Sequence, residues 1–268
     1  MSKSIAIGIC TSPEQAAKLA RGYDYLELSV SSVLTPLEDD SSFANKSAAL
    51  QALQPPVCAF NLFVPADLKV VGESVDWERV EIYVERALRR AAKVGAEKVV
   101  FGSGGSRAAP PGFSRAVAWD QLIRFLRICA DQAALQSIGI AIEPLNRREC
   151  NIINSYAEGV RLARDVDRPE IRVLADIYHF MMDNEPLDHI SDEPDWLAHV
   201  HLADSGRLYP GSGSYPLERL FDILRDVGYP GGASVECRWG EDYADETAKA
   251  LRFLHGLAGE VRTELLDE

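Results

Sequence analysis

Two glutamates, an aspartate and a histidine stand at the ends of four apolar runs. The runs are 138–143 (IGIAIE), 171–176 (IRVLAD), 197–201 (LAHVH) and 233–236 (ASVE), and they end on Glu143, Asp176, His201 and Glu236. Successive ends lie about 25 to 35 residues apart, close to the roughly 30 residues of one strand-plus-helix unit. A parallel barrel brings the C-terminal ends of its strands to one rim, where barrel chemistry is built. Three carboxylates and one imidazole on that rim suit a divalent cation, Mn²⁺ or Mg²⁺ first, with Co²⁺ and Zn²⁺ also compatible. Such an ion polarises a carbonyl and stabilises the adjacent enediolate oxygen. A neighbouring carboxylate then removes the acidified C–H proton. Glu143 and Glu236 come from different sides of the barrel, which makes them the expected acid–base pair. Return of the proton to the opposite face gives epimerisation, and return to the next carbon gives isomerisation.

Each residue also has a plainer reading. Pro144 ends the strand after Glu143, because proline cannot continue a ladder, and the carboxylate there could be a solvated charge. Asp176 could cap a helix. A Glu closing a buried strand at position 236 is costly unless paired or coordinated. His199 and His201 share one face of a strand, so His199 lies one layer deeper and reads as a hydrogen-bonded core residue. His179, Asp204 and Arg207 follow on loops, and a lone His such as His179 is more often structural. Glu27 and Asn61 give weak signals of facing the pocket. Gly102-Ser103-Gly104-Gly105 lacks the phosphate-loop pattern and reads as a flexible loop.

These residues need a scaffold. Eight strand candidates appear: Ser4–Cys10, Tyr25–Ser29, Val57–Phe63, Lys98–Phe101, Gly139–Glu143, Arg172–Asp176, Ala198–Leu202 and Ala233–Glu236. Helical periodicity runs over Asp76–Val94, Trp119–Ser137, Ser155–Val166, Pro216–Val227 and Asp242 to about Leu266. Gly95 and Gly228 are stop signals, Ser155 to Glu158 reads as a capping box, and Ser12-Pro13 opens a first helix. Ser31–Ser47 and Phe180–Glu193 are polar and read as loops with short helices. Strictly alternating β and α signals predict an α/β fold, a (β/α)8 TIM barrel, as one domain over 1–268.

Bulk properties narrow the function. The chain has 268 residues, 47% hydrophobic and 26% charged, with a net charge of −13 and a pI near 4.9. That balance repels a phosphate backbone, so no nucleic-acid partner is expected. Five scattered cysteines without a C-x-x-C pair fit reduced thiols in the cytoplasm. No signal peptide or membrane span is apparent. A small-molecule sugar or sugar phosphate is the expected partner, and nothing argues against a homo-oligomer.

The motifs E-P-L-N-R, L-A-D-I-Y-H, H-V-H-L-A-D-S-G-R and V-E resemble the xylose-isomerase-like barrel superfamily of sugar isomerases and epimerases. Within it the chain looks most like the ketose 3-epimerase group acting on tagatose and psicose. The resemblance implies a metal held by Glu143, Asp176, His201 and Glu236. It also implies that Glu149, His179 and Arg207 contact substrate. The expected activity is a metal-dependent sugar isomerase or epimerase. An endonuclease-type metal phosphodiesterase on the same barrel, which needs a His-rich site and a basic face, is the first alternative. A dehydratase or non-catalytic relative is the second.

Overall fold

Eight short strands pair in parallel, in chain order, and the last returns to the first to close a barrel. The computed structural model describes residues 5–258. The strands are β1 (Ala6–Cys10), β2 (Tyr25–Ser29), β3 (Val57–Asn61), β4 (Lys98–Phe101), β5 (Gly139–Ile142), β6 (Ile171–Asp176), β7 (Leu197–Leu202) and β8 (Gly232–Val235). Helices α1 (Pro13–Ala16), α2 (Asp40–Gln51), α3 (Trp77–Val94), α4 (Gly104–Arg107), α5 (Arg115–Gln136), α6 (Tyr156–Val166), α7 (Ile177–Met182), α8 (His189–Asp192), α9 (Leu217–Asp226) and α10 (Tyr243–Ala258) fill the crossovers and the described end. The predicted TIM barrel is therefore the fold. Ser4 and the expected helical tail beyond position 258 lie outside the described residues.

The helix ends follow local chemistry. Asp76 caps α3 by accepting from the Arg79 N–H, and Gly95 closes it at φ 105°, a left-handed conformation that suits glycine. Ser155 caps α6 through the Glu158 N–H at 3.1 Å. Glu158 reaches back one residue further than a capping box predicts, to the Asn154 N–H at 2.6 Å. Helix α5 starts at Arg115, before the expected Trp119, because Ser114 caps it. Strand β3 stops at Asn61, before the expected Phe63: Leu62 sits at φ 46°, which no strand can carry. Gly102–Gly105, expected as a loop, leads into the short α4 turn.

Strand alternation sorts the residues into two populations. Val99, Phe101, Ile140, Ile142, Val173 and Val200 face the helices and join the main apolar core. Their neighbours Val100, Ala141 and Leu174 form a separate small cluster inside the barrel. The same parity brings Tyr25, Glu27, His199, His201 and Ser234 inside, all buried. Gly8 makes room for Tyr25, since a Cβ there would lie 2.2 Å from the phenol ring. No helix among the described residues is long and apolar enough to cross a membrane.

Candidate active site

The inward register carries β5, β6, β7 and β8 up to Glu143, Asp176, His201 and Glu236. Glu143 and Glu236 sit just past their strands, yet each still donates its backbone N–H to the neighbouring strand, to Phe101 at 3.1 Å and Leu202 at 2.9 Å. The four side chains offer ligand-type atoms that all lie within 4.8 Å of one another. His201 Nδ1 is 3.4 Å from Glu143 Oε1 and 3.5 Å from Glu236 Oε2. Asp176 caps a helix and still leaves one oxygen on the rim. Its Oδ1 accepts from the Tyr178 N–H at 2.7 Å and caps α7, while Oδ2 is left to the rim.

Buried polar atoms normally find partners. Here Glu143 Oε1, Asp176 Oδ2 and His201 Nδ1 have none, and they converge. His179 Nε2 lies 3.7 Å from Glu143 Oε1 and 3.6 Å from Asp176 Oδ2. Atoms of this type, unpaired and aimed at one point, fit a divalent cation among oxygen and imidazole donors. Cys10, Glu27 and His201 form a second close group. Two of its three members are already joined by a hydrogen bond, His201 Nε2 to Glu27 Oε1 at 2.9 Å.

The electrostatics of the cluster are uneven. Burial, then the Glu236 and Glu143 charges, push Asp176 well above the usual carboxylate range. Burial also raises Glu143. It opposes charge on Glu236 too, but His201 and then Arg207 outweigh it and hold that carboxyl at about 2. Burial opposes charge on His201, yet Glu27 and Glu236 prevail and push the imidazole well above its ordinary value. His179 behaves oppositely: burial, aided by Arg207, pushes it down to about 3, so it is neutral.

The expected substrate contacts collect beside the cluster. Arg207 donates from Nη2 to Glu236 Oε2 at 2.6 Å, and its Nη1 lies 3.5 Å from Glu149 Oε1. Its guanidinium also lies 4.6 Å over the Tyr178 ring. Arg207 takes φ 60°, a left-handed conformation uncommon for a side-chain-bearing residue. Asp204 holds the surrounding loop by accepting from the N–H groups of Ser205, Gly211 and Tyr215. Glu149 and His179 are linked through Asn146. The Asn146 side-chain amide lies 2.9 Å from Glu149 Oε1 and 2.8 Å from His179 Nδ1. The Asn146 backbone N–H donates to the same Nδ1 at 3.2 Å. With Nδ1 accepting, a neutral His179 carries its proton on Nε2, the atom facing the cluster.

Glu143, Glu149, His179, Arg207 and Glu236 line one open pocket of ≈ 420 Å³, with Leu62, Val64, Pro65 and Ala66 on its apolar side. Sequence reasoning missed two contributors. Asn146 lies in the quoted E-P-L-N-R motif, but nothing in its type distinguishes it from a turn residue. Arg107 is fully buried and donates to the Phe101 carbonyl at 2.8 Å and the Glu143 carbonyl at 2.7 Å, tying the ends of β4 and β5 together. Glu27 and Asn61, weak signals in the sequence, both reach the site: Glu27 beneath His201, and Asn61 through a 3.4 Å contact to Glu236 Oε1.

Known proteins share this arrangement of elements. The 3-dehydro-D-guloside 4-epimerase of Escherichia coli is 31% identical over 191 residues, which cover 68% of this chain and 72% of that protein. The D-psicose 3-epimerase of Agrobacterium fabrum is 34% identical over 108 residues, 40% of this chain and 37% of that one, so that match spans well under half of the relative. The crystal structure of D-allulose 3-epimerase from Methylomonas sp. with D-allulose superposes with a TM-score of 0.81 at 24% identity, covering 95% of this chain and 97% of that one, a likeness of fold. A family model described as xylose isomerase-like TIM barrel matches residues 13–256. With that match running through all eight strand-and-rim units but the first strand, the chain belongs to the xylose isomerase-like TIM barrel family.

Proposed function

We propose that this protein is a divalent-metal-dependent epimerase of a keto-sugar, with Glu143, Asp176, His201 and Glu236 as the ligands. The observation that carries the reading is the convergence of unpartnered buried atoms from three of these residues on one point of the rim. The named epimerases among its relatives support the same class. The bound ion would supply Lewis-acid polarisation of the sugar carbonyl. Mn²⁺ or Mg²⁺ suits the oxygen-rich donors best, with Co²⁺ and Zn²⁺ compatible.

The chain's own residues supply the proton chemistry. Glu236, held ionised by His201 and Arg207, is suited to accept the C–H proton. Glu143, approaching from the other side of His201, is placed to deliver one to the opposite face. The neutral His179 offers an Nε2–H to a substrate oxygen. Arg207 and Glu149 would grip hydroxyl groups further out, and Asn146 keeps Glu149 and His179 in register. Among the pocket-lining residues Arg207 is the sole cation, and it already faces Glu149 and Glu236. That lining favours an unphosphorylated sugar over a sugar phosphate.

Deuterium wash-in tests the reading. Protein loaded with Mn²⁺ is incubated in D₂O with a panel of keto-sugars, free and phosphorylated. Label at a carbon beside the carbonyl of an unphosphorylated sugar, with inverted configuration there, is the expected result. Exchange confined to sugar phosphates, or no exchange with any member of the panel, would overturn it.

A further inference from the structure

The layer beneath the rim contains a charge that the reaction itself does not need. Glu27 lies inside the barrel with no solvent exposure. An ionised carboxylate so placed is costly unless it is paired and hydrogen-bonded. Its two oxygens are divided between the two histidines of β7. Oε1 meets His201 Nε2 at 2.9 Å, and Oε2 meets His199 Nε2 at 2.8 Å. Ser234 Oγ lies 2.6 Å from the same Oε2 and 3.0 Å from the Tyr25 hydroxyl. A carboxylate only accepts and a serine has one proton, so the Ser234 proton goes to Glu27 and the Tyr25 hydroxyl donates to Ser234. Its three partners, and Tyr25 behind Ser234, are all buried. The carboxylate is thus held from both sides and cannot turn away.

We propose that Glu27 is a positioning residue for the metal centre: it keeps the proton of His201 on Nε2, so that Nδ1 is the ligating atom on the rim. The argument is one of donors and acceptors. His201 has two ring nitrogens, and Glu27 can only accept from the one it touches. Nδ1, the nitrogen that faces Glu143 and Glu236, is therefore the one left open toward the rim. Carboxylates behind ligating histidines fix ring orientation and raise ligand basicity in this way. Ser234, and Tyr25 behind it, hold Glu27 in turn. Gly8 belongs to the same device, because any side chain there would displace Tyr25. The inference rests on the metal reading above and adds a residue that touches neither ion nor sugar.

The test measures binding, not turnover. Mn²⁺ titrated calorimetrically into ion-free wild-type protein gives the reference affinity. Glu27→Gln should bind Mn²⁺ about 10- to 100-fold more weakly. Ser234→Ala, which removes one donor to Glu27 but no charge, should show a smaller loss of the same sign. In wild-type protein loaded with diamagnetic Mg²⁺, long-range ¹H–¹⁵N spectra of the imidazoles should show His201 with its proton on Nε2, a signature that a merely structural role for Glu27 would not demand. A folded Glu27→Gln with unchanged affinity, or a loaded His201 protonated on Nδ1, would overturn the proposal. If Glu27→Gln does not fold, Ser234→Ala and the wild-type spectrum decide. Failure of the wild type to bind Mn²⁺ or Mg²⁺ at all would overturn the metal reading itself, a different result from a variant that binds as well as wild type.

Discussion

Two successive layers of the barrel interior treat their polar atoms in opposite ways. The deeper layer holds Tyr25, Glu27, His199 and Ser234, and the rim layer holds Glu143, Asp176, His201 and Glu236. In the deeper layer both Glu27 oxygens, the Ser234 hydroxyl and the Tyr25 hydroxyl are engaged, and His199 Nδ1 alone lacks a partner. In the rim layer three of four side chains leave a buried atom unpaired, and His179 adds a fourth. An unsatisfied buried polar atom costs about 1–3 kcal/mol. One stray atom is an ordinary imperfection, whereas three acceptors aimed at one point, with an N–H beside them, fit a bound ion. Strands β7 and β8 serve both layers, and His199 and His201 are two residues apart on β7. The contrast separates a polar cluster that is closed on itself from one that leaves atoms open to a ligand.

Breaking the rim layer should have the largest effect. Glu143→Gln and Glu236→Gln each remove a proposed acid–base group while keeping its shape. General acid–base catalysis is worth ~10²–10⁴-fold, and a weakened ligand set adds to that loss. Turnover should fall by at least this factor in either variant, measured on a substrate found by D₂O exchange. Exchange as fast as wild type in the double variant would remove the pair from the mechanism. Gly102→Ala attacks the same carboxylate from behind: a Cβ there would lie 2.0 Å from Glu143 Oε2. The side chain must move, and a misplacement of about 1 Å costs on the order of 10²-fold. A Gly102→Ala variant with wild-type kinetics would show that the position of Glu143 is not critical.

Arg207→Ala probes the substrate side of the rim. It deletes charge-assisted contacts to Glu236 and Glu149 and any to substrate. Such bonds are worth about 1.5–3 kcal/mol, so kcat/KM should fall roughly 10- to 150-fold. Metal content by elemental analysis should be unchanged. A variant that loses its ion would reassign Arg207 from the substrate to the ligand set.

The two layers were unequally legible in the sequence. The four rim residues stand out because each ends an apolar run, and β/α spacing repeats that placement four times. The barrel followed from the same alternation, and β2 and β4 match their predicted bounds. The deeper layer was largely hidden. Tyr25 and Ser234 are ordinary strand residues until the register places them inside. Glu27 gave a weak signal and His199 read as core, but their pairing joins β2 to β7, and no local pattern encodes a contact across the barrel. Helix α2 was underestimated because its apolar residues follow no clear helical stripe, so periodicity had nothing to find. Leu62 ended β3 early through backbone strain that its residue type does not announce.

The smallest effect concerns protons and separates the layers without mutation. In the ion-free protein Asp176 and Glu143 are raised by burial and by neighbouring carboxylates. A group whose folded value exceeds its unfolded one stabilises the fold below the unfolded value and loses that contribution as pH rises through the folded value. The ion-free rim therefore weakens as pH climbs above the ordinary carboxylate range of about 4. His201, raised by Glu27 and Glu236 against its burial, acts in the same direction at higher pH. Glu236 has the opposite sign: held at about 2, it stabilises above the usual value and loses this only in acid. It is thus constant near neutrality and leaves the trend to the others. A bound ion competes with these protons, so its affinity rises as they leave. An ion at 100 times its Kd adds about 2.7 kcal/mol. The gap in Tm between Mn²⁺-loaded and EDTA-treated protein should widen from about pH 5 to about pH 8, by a few degrees or more for a domain of this size. Calorimetric titrations in buffers of different ionisation enthalpy should show proton release on binding over the same range. A constant or narrowing gap would mean that the rim carboxylates are already ionised without the ion, and the contrast between the layers would then lie in geometry alone.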